Sequence, residues 1–166
     1  MAEPARSGRR DCVSRQTKRC IKFGSFVLLT LYIAVLIYVC FFSEDYGRDV
    51  ITSYYRYNLI PFKEIRRFYI CRDVVGIRAF LANLFGNVLA FMPYGFFMPI
   101  LRPKLRRMNR MFLAAFLLSL TIEITQLLTR VGSFDVDDLI LNTAGGIAGY
   151  LLFYIMNKIR SKWDGA

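Results

Sequence analysis

Polar side chains recur at helical spacing inside a stretch that is otherwise apolar. Glu123, Gln126 and Arg130 are spaced i, i+3 and i+7, so they share one face of a helix. A charged side chain in the hydrocarbon of a membrane costs about 3 kcal/mol on insertion scales, so it is normally retained because the protein uses it. Glu123 is therefore the first candidate for acid or base chemistry, and Asp138 is the second.

Two other segments carry polar residues at the same kind of spacing. Asn83 and Asn87 are four residues apart, and so are Asp138 and Asn142. Counted at about 1.5 Å per residue, these positions and Glu123 fall in the same half of the membrane. Three polar stripes that face one another would form a polar pocket open to the outer side. The candidate substrate-binding residues are Asn58, Asn83, Asn87, Gln126, Arg130 and Asn142.

Asp135, Asp137 and Asp138 lie within four residues of sequence. Carboxylate oxygens are the ligands that hard cations prefer, so Ca²⁺ or Mg²⁺ is the candidate metal for this cluster. The chain has no histidine, which removes the commonest general base and the commonest zinc ligand. The structural alternative is that Asp137 or Asp138 caps the helix that follows, while the amides form hydrogen bonds between helices.

Four apolar segments are long enough to carry these residues across a membrane, which takes roughly 20 helical residues. The sequence predicts an all-α integral membrane four-helix bundle over residues 23–159, with helices at about 23–42, 77–101, 111–129 and 139–157. An outer loop at 43–76 joins the first two helices, and tails occupy residues 1–22 and 160–166. We expect a kink or an early helix end near Pro93. Gly145 and Gly149 form a GxxxG pattern typical of a close contact between helices.

The basic residues predict the orientation of these helices. The net charge is +11, and the basic residues gather in the N-terminal tail, between the second and third helices, and at the C-terminus. Lys and Arg accumulate on the cytoplasmic side of membrane segments, so we expect both termini to be cytoplasmic. This placement explains the charge without nucleic-acid binding, and it suits anionic lipid.

The outer loop contains a second amphipathic pattern. From Pro61 onward, apolar residues alternate at helical spacing with Lys63, Glu64, Arg66 and Arg67. The pattern predicts a short helix lying in the outer interface, facing lipid phosphates or polymers. A solvated amphipathic loop is the alternative.

Four motifs together identify a resemblance: "NLIPF" at 58–62, "NLFGNVLAFMPYGFFMPIL" at 83–101, "SLTIEITQ" at 119–126 and "FDVDDLILNTAGGIAGY" at 134–150. In this combination and order, the chain resembles the VanZ-like family of small bacterial membrane proteins. The resemblance implies a multi-pass protein of the bacterial cytoplasmic membrane, whose family namesake confers low-level resistance to the glycopeptide teicoplanin. The polar positions typical of the family correspond to Asn58, Asn83, Asn87, Glu123, Gln126, Asp135, Asp138 and Asn142.

The residues and the resemblance lead to two hypotheses for function. In the first, the polar pocket binds or acts on a head group of the cell envelope, either a lipid-linked cell-wall precursor or a phospholipid. In the second, the protein is a non-catalytic scaffold or sequesters antibiotic, and its polar residues are bonds between helices. Whether the protein is an enzyme stays open. The lipid bilayer is the partner in both hypotheses.

Overall fold

The computed structural model describes residues 5–42, 55–70 and 77–164, which are mostly helical. In chain order the elements are helix α1 (Ala5–Phe42), strand β1 (Tyr57–Asn58), helix α2 (Lys63–Ile70), helix α3 (Ile77–Leu101), a 3-10 turn (Pro103–Leu105), helix α4 (Met108–Thr129), strand β2 (Phe134–Asp135) and helix α5 (Val136–Asp164). Four of these helices are long and apolar enough to cross a membrane, over Gln16–Phe41, Leu84–Leu101, Met108–Thr129 and Val136–Ser161. The prediction of four membrane-spanning helices is confirmed.

Two helices extend beyond the apolar segments that predicted them. Helix α1 begins at Ala5 and continues through the basic tail, and helix α5 runs from Val136 to Asp164. Arg and Lys are good helix formers, so a change from apolar to basic composition need not end a helix. Hydropathy marks where a helix can enter the membrane, whereas hydrogen bonding and capping decide where the helix ends.

Helix α3 runs through Pro93 and Pro99 and ends at Leu101. The early helix end expected near Pro93 is therefore wrong, while a kink there stays a prediction. Proline cannot donate the backbone hydrogen bond of its turn, and neighbouring helices often supply other partners to the carbonyls that this leaves. Pro93 removes the donor that the Leu89 carbonyl would have within the helix, and the next carbonyl, that of Ala90, accepts a hydrogen bond from the hydroxyl of Tyr32 in α1.

Helices α3 and α5 approach each other along a row of glycines. A Cβ atom added to Gly145 would overlap the carbonyl oxygen of Val88, and one added to Gly149 would overlap that of Met92. The GxxxG pattern therefore forms a contact within the chain, as expected. Farther along α5, an apolar core packs α4 against α5 through Met111, Ala115, Tyr150 and Phe153.

The two ends of the bundle are closed in different ways. At one end, the Tyr150 hydroxyl donates to the Arg106 carbonyl at 2.8 Å, and the Arg106 guanidinium lies over the Phe153 ring. At the other end, β1 and β2 form a parallel pair in which Asn58 is opposite Asp135. This short pairing is a departure from a purely helical fold. It brings the residues before α2 against the start of α5.

Candidate functional site

The polar residues that the sequence singles out lie mostly at the end of the bundle that β1 and β2 close. We use the name polar cluster for Asn58, Asn87, Ser119, Glu123, Gln126, Asp135, Asp137, Asp138 and Asn142. They belong to β1, β2, α3, α4 and α5. Asn83 lies in α3 as well, but its side chain falls outside the described part of the chain.

Glu123 lies in the interior of the cluster, with only 2% of its surface exposed. Its Oε2 atom accepts a hydrogen bond from the backbone N–H of Asp135 at 2.9 Å. A buried carboxylate needs such donors, because its desolvation is otherwise very unfavourable. Glu123 therefore fixes the last residue of β2 against the side of α4.

Arg130 shares a helical face with Glu123 by its spacing, but its contacts lie elsewhere. The residue follows α4 with a φ of 59°, which is the left-handed conformation that often ends a helix. Its guanidinium lies 4.7 Å from the centre of the Tyr55 ring and within 3.4 Å of the Tyr55 hydroxyl. The structure therefore places Arg130 with the segment before β1 rather than with Glu123.

Asp135 links β1 to the start of α5. Its Oδ1 atom accepts a hydrogen bond from Asn58 Nδ2 at 3.2 Å and another from the backbone N–H of Asp137 at 2.8 Å. The second bond is the N-cap interaction of α5, which begins at Val136. The interpretation that Asp137 or Asp138 caps α5 is therefore corrected, because Asp135 occupies the position from which a side chain reaches the first turn.

Asp137 is 1% exposed and caps a different helix, α2. Its Oδ1 atom accepts a hydrogen bond from the backbone N–H of Phe62, and its Oδ2 atom accepts one from Ile65 at 3.2 Å. These N–H groups belong to the first turn of α2, where no partner exists within the helix. A carboxylate is favoured there by the helix dipole as well. Asp137 thus holds α2 against the bundle from a position more than 70 residues later in sequence.

Two further hydrogen bonds join the helices around the cluster. Asn87 donates to Asp138, which connects α3 to α5. The Gln126 amide donates to the carbonyl of Cys40 at 3.0 Å, which connects α4 to the end of α1. The bond between Asn87 and Asp138 agrees with the expectation that the polar stripes of these two helices face one another.

Asn142 and Ser119 form the innermost pair of the cluster. Asn142 Nδ2 donates to Ser119 Oγ at 3.0 Å, and both residues are buried. The Oδ1 atom of Asn142 is buried without a hydrogen-bond partner. Sequence reasoning missed Ser119, although it lies one turn before Glu123 on the same face of α4 and could have been found by that spacing.

The carboxylates of the cluster are directed to different hydrogen-bond donors. Within residues 5–42, 55–70 and 77–164, no group of three or more His, Cys, Asp or Glu side chains is arranged to hold a metal ion. A divalent cation at Asp135, Asp137 and Asp138 stays a prediction. The hydrogen bonds of these side chains to Asn58, Phe62, Ile65 and Asn87 give them a structural role that does not require a cation.

Comparison with known proteins places the cluster within a shared region. The VanZ/LLP1 family matches residues 29–157, which include every residue of the polar cluster. Protein VanZ of Enterococcus faecium is 30% identical to this chain over 133 residues, which are 79% of this chain and 74% of that protein. No solved structure matches the chain.

Proposed function

The chain belongs to the VanZ/LLP1 family and has four helices able to span a membrane, and from this premise we propose that its polar cluster binds a polar head group of the cell envelope. The observation that carries the proposal is Glu123, a carboxylate buried at a junction of α4 with β2. Acidic residues at membrane depth are rare and face the protein interior or a polar cavity where they serve function.

The chemistry of the cluster suits a ligand rich in hydrogen-bond donors. Carboxylates accept only, and the orphan oxygen of Asn142 adds another acceptor beside Ser119. Hydroxyl, amide and ammonium groups of a head group offer the matching donors. A lipid-linked cell-wall precursor and a phospholipid both carry such groups. If the protein transforms its ligand, Glu123 is the candidate acid or base and Asp138 is the second candidate.

The basic residues support an outward-facing cluster in a cytoplasmic membrane. The other end of the bundle exposes Arg102, Lys104 and Arg107 in the loop between α3 and α4, and Arg110 in the first turn of α4. Under the positive-inside rule, that loop is cytoplasmic, and so are both termini. The polar cluster then lies near the outer leaflet, where lipid-linked precursors are exposed to glycopeptides. Occupying that head group is a route by which the protein would lower teicoplanin sensitivity.

A second candidate function is a non-catalytic scaffold or antibiotic-sequestering protein. The observation that favours it is that Asp135, Asp137 and Asp138 each accept hydrogen bonds from the protein itself. In this case, the cluster holds β1 and α2 against the helices, and Glu123 contributes by accepting the hydrogen bond from the backbone N–H of Asp135.

The Glu123→Gln substitution separates the two candidates. Glutamine keeps the size of the side chain and an oxygen that accepts from the Asp135 N–H, but it removes the charge. We expect lipids that co-purify with the wild type in native-membrane particles to be lost from the variant when measured by mass spectrometry. Teicoplanin tolerance of cells that express the variant should fall to that of cells without the protein.

Thr121→Val is the matched control, because Thr121 is exposed and its hydroxyl bonds only to the carbonyl of Leu117 in its own helix. Unchanged lipids and tolerance in the Glu123→Gln variant, at normal protein levels, would favour the scaffold.

The outward orientation of the polar cluster is tested separately, in a variant without its native cysteines. A labelling reagent that cannot cross the membrane should reach a cysteine at Ser133 and miss one at Asn109.

A further inference from the structure

The segment between β1 and α2, together with the first turn of α2, exposes both apolar and basic side chains. We call this surface the α2 patch, defined by Leu59, Ile60, Phe62, Lys63 and Arg66. The three apolar side chains are each at least 60% exposed, and both basic side chains are exposed as well. Neighbouring apolar side chains at this exposure are unusual on a surface that faces only water.

The patch is held in place by buried groups rather than by its own packing. Asn58 Oδ1 accepts a hydrogen bond from the backbone N–H of Ile60 at 3.3 Å, and the Asp137 carboxylate accepts from Phe62 and Ile65. Phe62 has a φ of 63°, in the left-handed region that bulky side chains rarely adopt. Such a conformation persists when the surroundings fix it, and it is frequent at binding sites. The exposure of Leu59, Ile60 and Phe62 is therefore fixed by the fold.

The position of the patch selects a membrane as its partner. It lies at the end of the bundle where α5 begins and where Gln126 of α4 contacts Cys40 near the end of α1. Helices that span a bilayer enter and leave it at such ends, so a segment fixed there is placed for contact with lipid head groups. Tyr55, Tyr57 and Tyr69 are exposed in the same segment, and tyrosine is enriched at this depth.

We propose that the α2 patch is a docking surface for anionic phospholipid in the adjacent leaflet. Leu59, Ile60 and Phe62 enter the boundary between head groups and acyl chains, while Lys63 and Arg66 contact the lipid phosphates. Apolar and basic side chains on one short element are the pattern of segments that lie in the interface. Basic side chains attract anionic head groups there, and neutral head groups much less. The proposal does not depend on the function of the polar cluster.

A tryptophan within the patch reports which lipid lies beside it. The chain has one tryptophan, Trp163, so Trp163→Phe gives a silent background and Phe62→Trp adds the reporter. The full-length protein is reconstituted in phosphatidylcholine vesicles that contain a minor fraction of phosphatidylglycerol. Fluorescence quenching is compared when either the phosphatidylglycerol or an equal fraction of the phosphatidylcholine is brominated. Stronger quenching by brominated phosphatidylglycerol is the expected result.

Neutralising the charges tests the cause of that preference. One basic residue near an anionic surface contributes on the order of 5-fold in lipid association, so Lys63→Gln with Arg66→Gln lowers the preference by up to about 30-fold. The matched control is Lys158→Gln with Arg160→Gln, a pair of exposed basic residues at the far end of α5. A second reporter, Phe112→Trp near the start of α4, should be unaffected by the substitutions at Lys63 and Arg66.

Three results would overturn the proposal. Equal quenching by the two brominated lipids would mean that the patch contacts lipid but has no preference for the anionic head group. If neither brominated lipid quenches the tryptophan, the patch does not face the bilayer. If quenching then returns at a high lipid-to-protein ratio, a second copy of the protein covers the patch. An equal loss of preference in the control pair would assign the effect to overall charge. Leu59→Trp repeats the measurement if the substitution at Phe62 impairs reconstitution.

Discussion

The first turns of α5 and its glycine-rich middle hold the same helix in place by different means. From Asp135 to Asn142, carboxylates and amides reach other segments through hydrogen bonds. From Gly145 to Gly149, α5 lies directly against the backbone of α3, with no side chain between them. The first region connects segments that are far apart in sequence, whereas the second connects two helices by shape alone.

The contrast follows from the membrane as a solvent. Lipid tails are as apolar as leucine, so apolar burial gives little drive for two spans to associate. Close backbone packing and hydrogen bonds are then the interactions that hold the helices together. Close packing depends on side-chain volume and is lost when a methyl group is added. Hydrogen bonding depends on donor and acceptor chemistry, so it is lost when a polar atom is removed at constant volume.

The largest effect is expected in the glycine region, from Gly149→Ala. The added methyl group would overlap the Met92 carbonyl, and a backbone atom cannot move aside as a flexible side chain can. Helices α3 and α5 must separate, and we expect a loss of more than about 3 kcal/mol in the free energy of unfolding. Unfolding by denaturant in detergent micelles measures this loss.

Gly24→Ala is the control for that experiment. Gly24 lies within α1, and a Cβ atom there would meet nothing within 4 Å. Alanine should be neutral or stabilising by up to about 1 kcal/mol, because it is the better helix former. If Gly149→Ala and Gly24→Ala changed the free energy of unfolding equally, close packing of α3 against α5 would not explain the effect at Gly149.

An intermediate effect is expected in the polar region, from Asp137→Ala. The substitution removes both acceptors for the Phe62 and Ile65 N–H groups, and we expect it to cost about 3 kcal/mol. The damage should be local to α2, so hydrogen exchange of these two amides should accelerate while the Gly145–Gly149 stretch keeps its protection. Asp137→Asn retains one acceptor oxygen, so its loss of stability should lie between that of the wild type and that of Asp137→Ala. Unchanged exchange at Phe62 and Ile65 would contradict the capping role.

The smallest effect is expected where the two regions meet, at Ser119 and Asn142. Ser119→Ala alone leaves the Asn142 amide buried without its acceptor, at a cost of about 1–2 kcal/mol. Asn142→Leu added to it removes the orphan oxygen as well, so the double variant should lie within about 1 kcal/mol of the wild type. A double-mutant cycle of unfolding free energies measures the coupling. If the losses of the two single variants added up in the double variant, Ser119 and Asn142 would not be energetically coupled.

Much of the candidate site could be predicted from sequence because its members obey helical spacing. Glu123 and Gln126 were placed on one face of α4, and Asp138 and Asn142 on one face of α5, from their numbers alone. The partner of each residue could not be predicted in the same way. Arg130 was placed on the same face as Glu123 and lies beside Tyr55. Asp137 or Asp138 was the alternative cap of α5, but Asp135 caps α5 and Asp137 caps α2.

The sequence by itself determined the four helices able to span a membrane, the polar face of three of them and the close contact at the glycines. These properties are periodic or depend on composition, so neighbouring residues are enough to specify them. Only the tertiary structure decided where the carboxylates point. The pairing of Asn58 with Asp135 joins segments 77 residues apart, and that pairing places the first turn of α2 within reach of Asp137. A hydrogen bond needs its two atoms within about 3 Å, and local spacing cannot specify that distance between segments that only the fold brings together.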